Sequence, residues 1–183
     1  MVKQIDLDVY KAHLEQLLRS NSEEMFRNDG REYASVLMSV MLASTKGEMR
    51  IYCTGFKPDL ITTQPYWNAL RNFLNEGKKI KVLCETDEAK DELPMHLLRM
   101  EKAKRTDKGS IIVKLITKED RRKICESVAE EHCNFSISDD NKYRFEYDPE
   151  GYKAIGSFNR PDTCKFLTDL FDTSFNNSNT VIV

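Results

Sequence analysis

The sequence is poor in the residues that mark most specialised protein classes. Its 183 residues include only 7 Gly, 5 Pro and 5 Cys, and 28 Lys and Arg nearly balance 30 Asp and Glu, for a net charge of -2. This composition excludes a collagen-like repeat, a disordered chain and a strongly basic nucleic-acid tail. Near neutrality does not exclude a ligand that carries phosphate, because local charge steers ligands more than net charge does.

The cysteines and the apolar residues also narrow the choice of function. The 5 cysteines form no CxxC pair, so we expect no zinc site, and no other pattern predicts a metal or a cofactor. Together with the start MVKQIDLDVY, which contains no apolar leader, the cysteines favour a reducing cytoplasm. The longest apolar-rich run, residues 33 to 43, is shorter than the about 20 residues that a bilayer requires. We therefore expect no transmembrane segment.

Apolar periodicity predicts alternating helices and strands. The predicted helices cover residues 7–19, 32–44, 65–76, 94–105, 118–129 and 161–175, and the predicted strands cover 49–53, 79–84, 110–116, 134–138, 142–147 and 152–157. The second helix is apolar on most faces, which predicts that it lies beneath a sheet. A βαβ unit with parallel strands comes first and an antiparallel meander follows, so the expected fold is α/β, with a mixed β-sheet flanked by helices.

The distribution of polar residues predicts one main domain with short extensions. The polar stretch from Ser20 to Gly30 separates the first helix from the rest, which predicts an N-terminal helical arm over residues 1–30. The main domain is expected over residues 31–176, and a polar tail over 177–183.

Two polar clusters are the candidate site. Because side chains alternate faces along a strand, His132, Asn134, Ser136 and Ser138 are expected on one face. The second cluster, Gly156-Ser157-Phe158-Asn159, ends a strand just before a helix that begins at Pro161, where free N–H groups favour an anion. Two such clusters near one sheet edge would form a phosphate pocket, although Ser157 and Asn159 also suit a plain helix cap.

The order of these residues resembles the signature of the phospholipase D superfamily, HxKxxxxD followed by GSxN. His132-Cys133-Asn134, Asp139 seven residues after the His, and the GSFN cluster match it, and the helices and strands upstream also look like the superfamily's pattern. The resemblance implies catalytic positions for His132 and Asp139 and phosphate-binding positions for Asn134, Ser157 and Asn159. Since only one copy of the signature is present, it also implies a symmetric homodimer.

The sequence departs from that signature at two points. Asn134 replaces the Lys, and the connection from Asp139 to Gly156 is longer than the family's tight hairpin. A neutral amide cannot supply the positive charge that stabilises a developing phosphorane, and one lost donor costs about a hundredfold to a thousandfold in rate. The leading hypothesis is therefore a degenerate site in a non-catalytic homodimer that binds phosphate or nucleic acid or acts as a regulator.

Two other functions stay open. One is an active, metal-independent phosphodiesterase or nuclease that uses His132 as its nucleophile and takes the missing charge from Lys142 or Arg144. The other is a structural interaction module that docks through the helix over residues 7–19. A segment from Arg99 to Lys123 with ten basic and four acidic side chains fits a nucleic-acid surface or, more commonly, a solvated helix face.

Overall fold

The protein is described by a computed structural model over residues 4–55, 57–85, 93–104, 109–139 and 141–183. Within these ranges the helices are α1 (Gln4–Arg19), α2 (Arg31–Ser44), α3 (Pro58–Ile61), α4 (Gln64–Asn75), α5 (Leu93–Ala103), α6 (Lys118–Val128) and α7 (Pro161–Asn177). The strands are β1 (Met25–Asn28), β2 (Glu48–Cys53), β3 (Lys79–Cys84), β4 (Ser110–Leu115), β5 (Asn134–Ser138), β6 (Lys142–Asp148) and β7 (Lys153–Ser157).

The described strands form one mixed sheet in the order β1-β7-β6-β5-β2-β3-β4. β2, β3 and β4 are parallel, as the predicted βαβ unit requires, and β5, β6 and β7 form the predicted antiparallel meander. The two halves join where β2 pairs with β5 in antiparallel orientation. The expected α/β architecture with a mixed sheet is therefore confirmed.

Helices cover both faces of the sheet and bury two apolar clusters. On one face α2 is buried along most of its length, which confirms the position predicted from its apolar character, and it packs with α1 and α4. On the other face α6 and α7 pack on the middle strands through side chains such as Ile124, Phe135 and Phe171. Among the described helices, none has the length and apolar character needed to cross a membrane.

The N-terminal residues pack against the main domain. Leu14 and Leu17 of α1 are buried in the same apolar cluster as α2, and β1 pairs with β7 at the edge of the sheet. β1 was hidden in the polar stretch that the sequence predicts as a separator. Its only inward apolar side chain is Phe26, and one such residue in a four-residue strand is too weak a periodic signal.

Three other details differ from the sequence prediction. The short helix α3 lies where a loop is expected, and Phe166, expected on the apolar side of α7, is 46% exposed. The C-terminal tail is paired with the sheet: the Leu115 N–H donates to the Thr180 oxygen at 2.9 Å, and the Ile182 N–H donates to the Val113 oxygen at 2.7 Å. The tail therefore covers the outer edge of β4. The predicted end of the α5 helix at Arg105 and the turn residue Asp140 lie outside the described residues.

Candidate functional site

The polar face of β5 is buried as the alternation predicts. Asn134, Ser136 and Ser138 point toward α2, while Cys133, Phe135 and Ile137 point toward α7. On the neighbouring strand, Glu146 lies opposite Asn134 and Arg144 lies opposite Ser136. Residues opposite one another in a ladder share a face of the sheet, so these polar side chains form one buried group.

Asn134, at the position of the signature Lys, is held on both ends of its amide. Its Nδ2 donates to Glu146 Oε2 at 2.5 Å, and its Oδ1 accepts the Thr54 backbone N–H at 2.9 Å. A carboxylate is an acceptor only, so it fixes the orientation of the amide. The Asn134 side chain therefore serves as a structural link between β2, β5 and β6.

Arg144 lies on the face where a replacement cation is needed, but a carboxylate neutralises it. Its Nη2 donates to Glu146 Oε1 at 2.6 Å and its Nε donates to Asn28 Oδ1 at 3.1 Å. Arg144 and Glu146 are each only 4% exposed. The buried group therefore has a balanced charge, with Glu146 bridging Arg144 and Asn134.

The other candidate cation, Lys142, is at the far end of β6. Its Nζ donates to Asp139 Oδ2 at 2.9 Å and to the Ser44 oxygen at 3.3 Å. Asp139 also accepts the backbone N–H groups of Lys46 and Gly47, at 3.1 Å and 3.2 Å. Partial burial raises the pKa of Asp139, but these hydrogen bonds, led by the one from Lys142, outweigh it and hold the pKa below its ordinary value. Asp139 therefore fastens the turn after β5 to the start of β2.

His132 is exposed and lies two residues before the start of β5. It lines an open cleft of about 520 Å³ whose walls include Thr54, Lys57, Tyr147 and Glu150. The cleft carries charge of both signs, since Asp148 also lines it. His132 therefore lies outside the buried group around Asn134, at the end of the sheet where β5 begins and β6 ends.

The GSFN cluster is at the opposite end of the strands. Ser157 lies opposite Tyr143, which in turn lies opposite Ile137, so Ser157 is five positions further along the strands than His132. At about 3.3 Å per residue this is roughly 16 Å. In a tight hairpin the start of the first strand and the end of the second lie side by side. Here β6 intervenes and makes β5 and β7 parallel, so the end of β7 lies far along the sheet from His132.

Ser157 and Asn159 have local partners instead. The Asn159 backbone N–H donates to Ser157 Oγ at 3.2 Å, and Asn159 Nδ2 donates to the Asn21 oxygen at 2.8 Å. The Ser157 hydroxyl is directed to the Glu23 oxygen at 3.4 Å. These contacts tie the end of β7 to the connection between α1 and β1, and they favour the structural interpretation of this cluster.

Most basic side chains in the described parts of the segment from Arg99 to Lys123 have partners. Lys104 pairs with Glu101 at 3.0 Å and Arg121 pairs with Glu85 at 2.7 Å. Lys114 donates to the backbone oxygens of Phe175 and Ser178. Further pairs join Arg122 to Glu126 and Lys123 to Glu119. Residues 105–108 of the segment lie outside the description, and among the rest these pairs support the solvated, internally balanced helix face.

Sequence reasoning missed Glu146, Asn28 and Thr54, whose atoms hold the polar group together. The available signal was the alternation in β6 of Tyr143, Phe145 and Tyr147 with Arg144 and Glu146, a pattern that is typical of a half-buried strand. In the structure the charged face is the more deeply buried one, and Tyr147 is 42% exposed.

Among the described residues, no group of three or more His, Cys, Asp or Glu side chains has the geometry to hold a metal ion.

No protein-family model matches the sequence, and no curated protein sequence is similar to it. Solved structures share the fold. Nuc from Salmonella typhimurium, a phospholipase D family member, is 13% identical with a TM-score of 0.55 and aligns over 86% of this chain and 98% of its own. NucT from Helicobacter pylori is 9% identical, with a TM-score of 0.56 over 86% and 99%. TrmBL2, an archaeal chromatin protein with a novel mode of DNA binding, is 14% identical, with a TM-score of 0.58 over 97% of this chain and 65% of its own.

Proposed function

Because the chain has a phospholipase D-like fold whose polar face is internally neutralised, we propose that it is a non-catalytic, regulatory binding protein that works as a homodimer in the cytoplasm. The observation that carries this proposal is the contact of Glu146 with both Asn134 and Arg144. A phosphodiester is an anion, and a buried carboxylate beside its binding position repels it. The two cations that β6 carries on this face, Arg144 and Lys142, are both already paired with carboxylates.

The distribution of the signature residues supports the same conclusion. Catalysis needs its groups within hydrogen-bonding reach of one substrate, but His132 and Ser157 lie at opposite ends of the strands. Asn134→Lys alone is not expected to create activity, because the new ammonium group would pair with Glu146 while Ser157 and Asn159 stay where they are.

The first test is a cleavage assay. Hydrolysis of bis(p-nitrophenyl) phosphate and of plasmid DNA is measured in EDTA for the wild type and for His132→Ala, with His96→Ala, an exposed histidine on α5, as the matched control. We expect no cleavage above background in any of the three proteins. Cleavage that persists in His96→Ala and disappears in His132→Ala would establish the alternative, an active phosphodiesterase.

Dimerisation and nucleic-acid binding are tested together. The single signature copy supports a homodimer through the resemblance, and the similarity to TrmBL2, a chromatin protein that binds DNA, makes DNA the second candidate ligand. Sedimentation equilibrium should give twice the chain mass of 21.3 kDa, both alone and beside a labelled DNA duplex. A mass of one chain contradicts the dimer. If the duplex sediments with the protein, and less of it does so at higher salt, the result would favour DNA over a regulatory ligand as the binding partner.

The structural module stays as the third candidate. α1 packs on α2 through Leu14, but Ile5 and Val9, one helical turn apart, are 73% and 65% exposed on its outer side. Deleting residues 1–28 would also remove β1 from the sheet, so the interaction is better tested by Val9→Glu, which changes only the exposed side.

A further inference from the structure

A small, partly open cavity lies between the polar face of β5 and β6 and the helices α2, α3 and α4. Its volume is about 50 Å³. One wall is apolar and includes Met38, Ile51 and Ile61, and the opposite wall carries Ser136, Arg144 and Glu146, with Tyr66 of α4 completing it. A cavity needs about 10–15 Å³ for each water-sized occupant, so this one has space for a group of three or four non-hydrogen atoms.

The polar side chains of this wall have hydrogen-bonding capacity that the protein does not use. The Tyr66 hydroxyl, on a side chain 4% exposed, makes no hydrogen bond to any described residue. Ser136 Oγ has only a long contact of 3.9 Å with the Met38 sulfur, and Arg144 uses Nε and Nη2 but not Nη1. A buried polar group without a partner costs free energy, so three such groups around one cavity point to an occupant that satisfies them.

The charges around the cavity select a neutral occupant. Arg144 repels a cation and Glu146 repels an anion, and because the two are in direct contact at 2.6 Å their fields largely cancel inside the cavity. Lys57 also lines the cavity, but its Nζ is already engaged: it donates to the Pro149 oxygen and lies 4.0 Å from the centroid of the Tyr152 ring. Tyr66 and Ser136 each both donate and accept, Glu146 accepts, and Arg144 donates. The wall therefore fits a group that presents a donor and an acceptor side by side.

We propose that this cavity binds the neutral polar end of a small regulatory ligand, a group such as a carboxamide that carries an adjacent donor and acceptor. Tyr66 and Ser136 orient the group, and Arg144 Nη1 donates to its acceptor atom. Lys57 lines both this cavity and the cleft that contains His132, so the rest of a larger ligand can lie in the cleft. The inference rests on the proposed function, because a phosphodiesterase would need the same face for an anion.

The test compares three probes of nearly equal shape that differ in charge: acetamide, acetate and acetamidinium. Each is titrated into the ¹⁵N-labelled protein, and amide chemical shifts are followed by NMR. Acetamide should give saturable shifts around Ser136 and Arg144 with a Kd in the millimolar range, as expected for so small a ligand. Acetate and acetamidinium should bind at least tenfold more weakly.

Variants connect this binding to the cavity. Tyr66→Phe should weaken acetamide binding about fivefold, the effect of one lost hydrogen bond, and should not lower the melting temperature, because the hydroxyl has no protein partner. Ser136→Ala provides the same test if Tyr66→Phe does not fold. Tyr143→Phe, a buried tyrosine on the opposite face of the sheet, is the matched control and should leave binding unchanged.

Three results would overturn the proposal: equal binding of the charged probes, no saturable shift with acetamide, or a lower melting temperature for Tyr66→Phe with unchanged binding. These outcomes are separate from those of the cleavage assay. A protein that cleaves phosphodiesters disproves the proposed function whatever the probes do, whereas an inert protein that fails to bind acetamide disproves only the ligand assignment.

Discussion

Replacing Glu146 by Leu is expected to lower the free energy of unfolding by about 3–5 kcal/mol. The substitution keeps the approximate volume but leaves the guanidinium of Arg144 buried without its counter-ion, and removing one partner of a buried pair typically costs this much. Asn134 loses its acceptor in the same step. Urea denaturation followed by circular dichroism measures the change.

The double variant Arg144→Met, Glu146→Leu tests how much of this stability loss comes from leaving Arg144 buried without its counter-ion. Because an apolar pair of similar size often replaces a buried ion pair at little cost, most of the lost stability should return, and the double-mutant cycle should give a coupling energy of about 2 kcal/mol or more. Glu126→Leu, which breaks an exposed pair with Arg122, is the control and should change little. A small loss for Glu146→Leu, comparable with that of Glu126→Leu, would contradict the central place of this pair.

Periodic patterns in the sequence predict correctly the helices and strands whose burial follows from their own local residues. β2 and β4 are short β-type runs, β3 alternates polar and apolar residues, and α2 is apolar on most of its faces, so each is recognisable from local sequence alone. Local sequence does not predict β1 or the pairing of the C-terminal tail with β4. They are held by backbone hydrogen bonds to distant strands, which leave little trace in a single sequence.

The candidate site shows a different limit on prediction from the sequence. The signature residues can be found by their order, but their positions in space depend on how many strands lie between them. One added strand between Asp139 and Gly156 reverses the direction of the strand that ends in GSFN, and it carries Ser157 to the far end of the sheet. Likewise, the alternation in β6 is visible in the sequence, but which of its two faces is more buried depends on α2 and α7 together.

Gly156→Ala is expected to lower the free energy of unfolding by about 3 kcal/mol. A Cβ at this position would lie 2.2 Å from the Tyr143 backbone oxygen and 2.6 Å from Phe26 Cε2. The Tyr143 oxygen belongs to β6, which pairs with β7, so it cannot move without disturbing the ladder. Overpacking of this kind costs up to about 3 kcal/mol, and more where the backbone is the obstacle.

Gly47→Ala is the matched control. Gly47 has no atom within 4 Å of the added Cβ and is not in the left-handed region, so its substitution should leave stability nearly unchanged. Both variants are measured by urea denaturation. Equal stabilities for the two would mean that Gly156 is not required for packing, and a role in ligand binding would then be the better explanation of the motif.

The expected difference bears on how the motif is interpreted. If Gly156→Ala unfolds the protein easily while ligand binding per folded molecule is unchanged, the glycine is explained by the close approach of Phe26 and β6. Ser157 and Asn159, which hold the adjacent connection, then belong to the same structural unit. A GSxN sequence would in this case mark the packing of a strand end in a phospholipase D-like fold, and the binding function would rest on the face around Arg144 and Glu146.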